Sequence, residues 1–138
     1  MRSISLIIIQ CSATPEGRDF TVEDIDRWHR QRGWKNGIGY HYVVYRDGTV
    51  HKGRPDKMVG AHCKNHNAHS LGICYIGGLD DQERPKDTRT EAQKRALREL
   101  LTTLKGQYPK ALIVGHNTLS AKACPCFDAV AEYRDLNT

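Results

Sequence analysis

The sequence has no apolar run long enough to cross a bilayer. Spanning one takes about 18–20 residues, and the most continuous stretch here runs only from Leu6 to Ile9. That stretch is also shorter than the roughly 7–15-residue apolar core of a secretory leader. Gln10 stands before Cys11 where a lipoprotein site would need a small residue. The expectation is a buried first strand, cytoplasmic synthesis without a signal peptide, and no membrane partner. No four basic residues occur in succession and few aromatics interleave with them, so a nucleic-acid-binding tract is excluded. Cys124-Pro125-Cys126 has no second cysteine pair to complete a zinc ribbon. Phe and Trp are scarce, two of each, yet 38% apolar and 27% charged residues rule out wholesale disorder.

What is present bounds the answer further. A chain of 138 residues predicts one domain with one core, at about 100–200 residues per domain. The formal charge of +5 suits an anionic partner without naming it. Many of the basic residues, such as Lys94, Arg95, Arg98 and Lys105, read as the solvated face of a helix. Seven His and five Cys crowd this small chain, an excess of side chains suited to metal binding or acid–base work. Five thiols cannot all pair within one chain. Without an export signal they are expected to be reduced. Cys11 and Cys74 lie in apolar strand-like runs and read as core, whereas Cys63, Cys124 and Cys126 sit in loop-like contexts.

Along the chain, Ile4 to Ile9 predicts a fully buried strand, and Cys11 to Asp19, with Pro15 and Gly17, a loop. Thr21-Val22-Glu23-Asp24 has the form of a capping box. The helix after it carries Ile25, Trp28 and His29 on one face and ends at Gly33. His41 to Tyr45 and Thr49 to Lys52 flank Asp47-Gly48, a tight hairpin turn. Met58 to Ser70 reads as a structured loop, and Leu71 to Ile76 as a strand stopped by Gly77-Gly78. Leu79 to Arg89 is polar and loop-like. Thr90-Glu91-Ala92-Gln93 is a second capping box, opening an amphipathic helix through Leu104. A short strand at Ala111 to Val114 and a terminal helix at Asp128 to Leu136 complete the order β-α-β-β-β-α-β-α. That order predicts one α/β domain over residues 1–138, a mixed central sheet with helices on its faces.

His116 follows the strand Ala111 to Val114, where ligand sites of open α/β sheets lie. Cys124 is eight residues further on, and imidazole and thiolate are good donors to zinc. Lys122 between them would place a cation beside an oxyanion. On spacing alone, a loop His and a partly buried Cys with no shared task remains the alternative. His62-Cys63-Lys64-Asn65-His66-Asn67-Ala68-His69 holds four potential ligands, but its Asn residues and neighbouring glycines favour a polar loop lining a groove over a metal site. Ser12 has no acid–base neighbours to activate it.

The string Ile7-Ile8-Ile9-Gln10-Cys11-Ser12-Ala13-Thr14 resembles the first strand of the zinc-dependent N-acetylmuramoyl-L-alanine amidases of the phage-lysozyme type, relatives of the peptidoglycan recognition proteins. The likeness continues in order through Gly39-Tyr40-His41-Tyr42, Arg46-Asp47-Gly48-Thr49, Gly60-Ala61-His62, Ser70-Leu71-Gly72-Ile73-Cys74, Gly77-Gly78, His116 and Lys122-Ala123-Cys124-Pro125. It spans nearly the whole chain. The resemblance implies an endolysin-like hydrolase that cleaves the amide between the lactyl group of N-acetylmuramic acid and L-Ala of the stem peptide. It implies zinc as cofactor on His116 and Cys124, Tyr40 and Lys122 around the reacting carbonyl, and His41, His62 and Asn67 in contact with substrate. The implied partner is peptidoglycan or a muramyl peptide, met by a monomer at the bacterial cell wall.

One residue departs from the family pattern. Where the first zinc-ligating His is expected, this chain has Gln10, a neutral amide of poor donor strength. Loss of that imidazole is expected to weaken zinc and impair hydrolysis. Two further readings are that His41 stands in for it, or that Gln10 is an alteration of a chain whose relatives have His. A metal-free peptidoglycan-binding protein is the alternative from another functional class.

Overall fold

Strand alternation organises the molecule around its first strand. The computed structural model describes residues 2–137. In chain order its elements are β1 (Leu6–Cys11), β2 (Thr14–Pro15), α1 (Val22–Gln31), β3 (Tyr42–Val44), β4 (Val50–Lys52), β5 (Ser70–Tyr75), β6 (Gly78–Leu79), α2 (Glu91–Gln107), β7 (Leu112–Gly115), α3 (His116–Leu119) and α4 (Ala129–Glu132). The main sheet has the order β4-β3-β5-β1-β7. β1 runs parallel to β5 and β7, β3 parallel to β5, and only edge strand β4 is antiparallel. This is the mixed sheet the element order predicted.

β1 is covered on both faces, which is why its sequence is nearly continuously apolar. Ile7, Ile9 and Cys11 join Leu71, Ile73 and Tyr75 against Leu97, Leu101 and Leu104 of α2. Each of those leucines is almost wholly buried and contributes on the order of 1.5–3 kcal/mol. The opposite face is split. Ile25 of α1 packs with Val43, Cys74 and Ile76, while Ile8 packs with Cys63 and Val114. Gln10 shares the Ile8 face by the two-residue period of a strand and therefore points away from α2.

Both capping boxes form, Thr21 with Asp24 and Thr90 with Gln93. Gln93 does more than cap. Its buried Nε2 donates to Val44 O and Ile76 O, tying α2 to two strand ends. The first strand begins at Leu6 rather than Ile4 and includes Cys11, whose Cα pairs in register with Tyr75. Thr14–Pro15, expected as loop, pairs with Gly78–Leu79 in a small parallel ladder. The hairpin is looser than expected, with strands ending at Val44 and starting at Val50. The terminal helix breaks into α4 and a 3-10 turn over Arg134–Asn137. There Arg98 Nη2 donates to Glu132 O at 3.0 Å, taking a carbonyl that a continuing helix would have used.

Candidate active site

The C-terminal ends of parallel strands leave a crevice where chain direction and loops diverge. Here the ends of β1 and β7 open into a pocket of about 680 Å³. Seven of the eight site residues expected from the sequence line it: Gln10, Tyr40, His62, Asn67, His116, Lys122 and Cys124. They come from β1, the approach to β3, the loop before β5, and the segment after β7. Only the fold brings them together.

His41 is the exception and a correction. It is fully buried and outside the pocket. Its Nδ1 accepts the Gly72 N–H at 3.0 Å, which places the ring proton on Nε2, and that nitrogen donates to Met58 O at 2.7 Å. With both nitrogens committed to backbone, His41 neither touches substrate nor replaces a metal ligand. It fastens the loop before β5 to the sheet.

Gln10 Nε2 donates to His62 Nδ1 at 2.7 Å. The His62 proton is thereby fixed on Nε2, which faces Ser70 Oγ at 3.3 Å. Burial, with nearby positive charge from other groups, pushes the His62 pKa down to about 3, so the ring is neutral and acts as an acceptor. Asn67 Oδ1 accepts the N–H groups of both His62 and Cys63 at 2.9 Å, holding the loop that carries His62. His116 opens α3 directly after β7, and burial followed by the Lys122 charge lowers its pKa. Cys124 Sγ accepts the Cys11 N–H at 2.9 Å. Burial raises the Tyr40 phenol well above its ordinary pKa, which keeps it protonated and a donor.

Trp28, His29 and Trp34 form a further wall of the pocket. In the sequence, Trp28 and His29 read as the buried stripe of α1. Periodicity cannot separate a stripe facing a core from one facing a cavity. His29 Nδ1 accepts the Gly39 N–H at 2.9 Å, and its ring meets Trp34 edge-on at 4.5 Å between centroids.

The expected zinc can be tested against this donor set. Among the described residues, no three His, Cys, Asp or Glu side chains gather into a metal-holding group. Three imidazoles line the pocket, but His29 Nδ1 accepts from Gly39 and His62 Nδ1 from Gln10, so the donors expected for zinc come down to His116, Cys124 and the Gln10 amide. Because His62 takes the Gln10 nitrogen, the oxygen is the atom left to act as a ligand. The set fits zinc with two strong donors, His116 and Cys124, and one weak neutral donor.

Comparison with known proteins shows the family of the chain. The sequence profile of the family described as N-acetylmuramoyl-L-alanine amidase matches residues 1–127. The endolysin of Klebsiella phage KP32 is 44% identical over 124 residues, covering 90% of this chain and 82% of the relative. Among solved structures, the N-acetylmuramoyl-L-alanine amidase LysC of Clostridium intestinale superposes with a TM-score of 0.81 at 29% identity, over 99% of this chain and 87% of that one. A Drosophila PGRP-LB mutant in complex with tracheal cytotoxin superposes with a TM-score of 0.77 at 26% identity, over 96% and 81%.

Proposed function

The chain belongs to the N-acetylmuramoyl-L-alanine amidase family, and from that premise we propose that its pocket hydrolyses the amide between N-acetylmuramic acid and L-Ala of the stem peptide. By resemblance it is an enzyme of this hydrolase class. The observation that carries the proposal is the convergence of seven expected residues, from four separate segments, on one pocket.

In this reading zinc, when bound by His116, Cys124 and more weakly Gln10, supplies Lewis acidity that lowers the pKa of a water towards 7 and polarises the scissile carbonyl. The side chains do the rest. Lys122 sets its ammonium beside the carbonyl oxygen, where negative charge develops in the tetrahedral transition state. Tyr40, held protonated by burial, donates a hydrogen bond that orients the attacking water or the amide. His62 keeps the Gln10 amide in one orientation, and Asn67 keeps His62 in place. The partner is peptidoglycan, engaged by a monomer at the bacterial cell wall. A PGRP-LB structure holds tracheal cytotoxin, which supports a muramyl peptide as the ligand class here.

The test is incubation of the purified chain with muropeptides at saturating zinc, reading free stem peptide by mass spectrometry. Release of stem peptide is expected. Binding by calorimetry without release would overturn the hydrolytic reading in favour of a metal-free peptidoglycan-binding protein.

A further inference from the structure

Three of the five thiols meet at the end of β1. Cys11, Cys124 and Cys126 all approach one stretch of backbone there. Cys124 Sγ rests on the Cys11 backbone, 2.9 Å from its nitrogen and 3.7 Å from its oxygen. Cys126 Sγ lies 3.3 Å from Gly78 O, and a Cβ placed on Gly78 would stand 2.4 Å from Cys11 Sγ. Cys11 and Cys126 therefore meet the same residue: Gly78 leaves room for the Cys11 sulfur because it has no side chain, and its carbonyl accepts from Cys126. The remaining thiols stand apart: Cys74 packs with Ile25 and Val43, and Cys63 with Ile8 and Val114.

We propose that Cys11, Cys124 and Cys126 form a thiol relay that moves an oxidising equivalent from Cys124 to a Cys11–Cys126 disulfide. The oxidant is a small-molecule disulfide of the oxidised-glutathione class. Cys124 is the entry point, since it is partly exposed and lines the pocket. Its sulfur attacks the oxidant, forming a mixed disulfide and releasing one equivalent of the small thiol, which carries away the proton. Cys11 Sγ then attacks the Cys124 sulfur, forming the Cys11–Cys124 bond and expelling the second small thiol. Finally Cys126 Sγ attacks Cys11 Sγ, forming Cys11–Cys126 and returning Cys124 as a thiol. Two electrons and two protons pass from the protein to the oxidant in all.

The last exchange has a direction. A Cys11–Cys124 bond draws the Cys124 sulfur off the Cys11 N–H and leaves that donor without its acceptor. The Cys11–Cys126 bond leaves it in place. The outcome preserves the side chain on which zinc binding depends, while the relay itself is a property of the thiols and stands apart from hydrolysis.

The test uses the full chain, free of reductant, both as purified and after chelator treatment. It is incubated with oxidised glutathione, quenched by alkylation and mapped by tandem mass spectrometry. The expected end product is a Cys11–Cys126 link with Cys124 alkylated. Cys126→Ser should stop at Cys11–Cys124, and Cys11→Ala should retain glutathione on Cys124. A wild-type product that keeps glutathione on Cys124, ends at Cys11–Cys124, or leaves Cys11 and Cys126 alkylated would overturn the proposal. That readout needs neither variant to fold and no amidase assay.

Discussion

Gln10 Nε2 and His62 Nδ1 are 2.7 Å apart, and that bond sets the orientation of the Gln10 amide in the pocket. His62 is itself clamped by two glycines. A Cβ on Gly72 would stand 2.6 Å from His62 Cγ, and one on Gly60 2.6 Å from His62 Cδ2. The imidazole thus has one position, and the amide answers to it.

An imidazole at position 10 should strengthen zinc binding. Gln10→His replaces a weak oxygen donor by a nitrogen donor beside His116 and Cys124. Loss of even an outer-shell partner costs a metal site about 10–100-fold in affinity. Zinc affinity is therefore expected to rise by at least about 10-fold, measured by chelator competition, with faster release of stem peptide. Equal affinity in the two forms would show that Gln10 already serves as a full ligand.

Gly72→Ala tests the clamp. The new methyl overlaps the His62 ring, which has no space to retreat because Gly60 lies against it. Overpacking of this kind costs about 1–3 kcal/mol, so the urea midpoint should fall and zinc affinity with it. An unchanged midpoint would mean that the ring moves freely and does not fix Gln10.

How much of this could be read in the sequence depends on the range of the interaction. Thr21/Asp24 and Thr90/Gln93 are contacts over three residues, and both capping boxes form as expected. The apolar runs around Ile8 and Ile73 predict strands because a two-faced burial leaves no polar position. The ladder of Thr14–Pro15 with Gly78–Leu79 has no such pattern, for two residues are too few to alternate. Tyr40 and His41 look equally suited to a site, yet Tyr40 reaches the pocket while His41 turns to Gly72 and Met58. Neighbours entering a strand point in different directions, and which one meets the cavity depends on the loop before β5. Trp28 and His29 are hidden in the sequence by the same stripe that builds the helix. Gln10, Lys122 and Cys124, named through the resemblance, line one pocket, whereas the Gln10–His62 bond spans 52 positions and needs the fold.

Around the reacting carbonyl, the roles of Lys122 and Tyr40 predict distinct losses. Lys122→Ala removes the cation expected to face the developing oxyanion, and kcat should drop by roughly 100-fold or more. Tyr40→Phe removes only a hydroxyl, and general acid–base or orienting effects of such groups are worth about 100-fold. Both variants should bind muramyl peptide nearly as wild type does, by calorimetry, while releasing stem peptide slowly. A Tyr40→Phe form with wild-type kcat would remove the phenol from the mechanism.

Acid should loosen the aromatic wall of the pocket. Burial, and then the charges of Arg32 and Arg54, push the His29 pKa down to about 4, opposed by Asp26. In the unfolded chain a histidine titrates near 6.5. Between those values the unfolded state binds the extra proton, so stability rises with pH across the window. The contribution is fully present above about pH 6.5 and is lost as pH falls towards 4, at up to about 1.4 kcal/mol per pH unit. His41, His62 and His116 are depressed as well and add to the slope. The paired carboxylates Asp24 and Asp26 are held below their usual range, so their loss belongs to lower pH. Urea midpoints at pH 7, 6 and 5 should therefore fall steadily for the wild type. His29→Asn, whose amide oxygen takes the place of the ring Nδ1 as acceptor for the Gly39 N–H, should show a shallower fall. An identical pH slope in that variant would mean that His29 is protonated in the folded protein and that the wall is wetter than its burial implies.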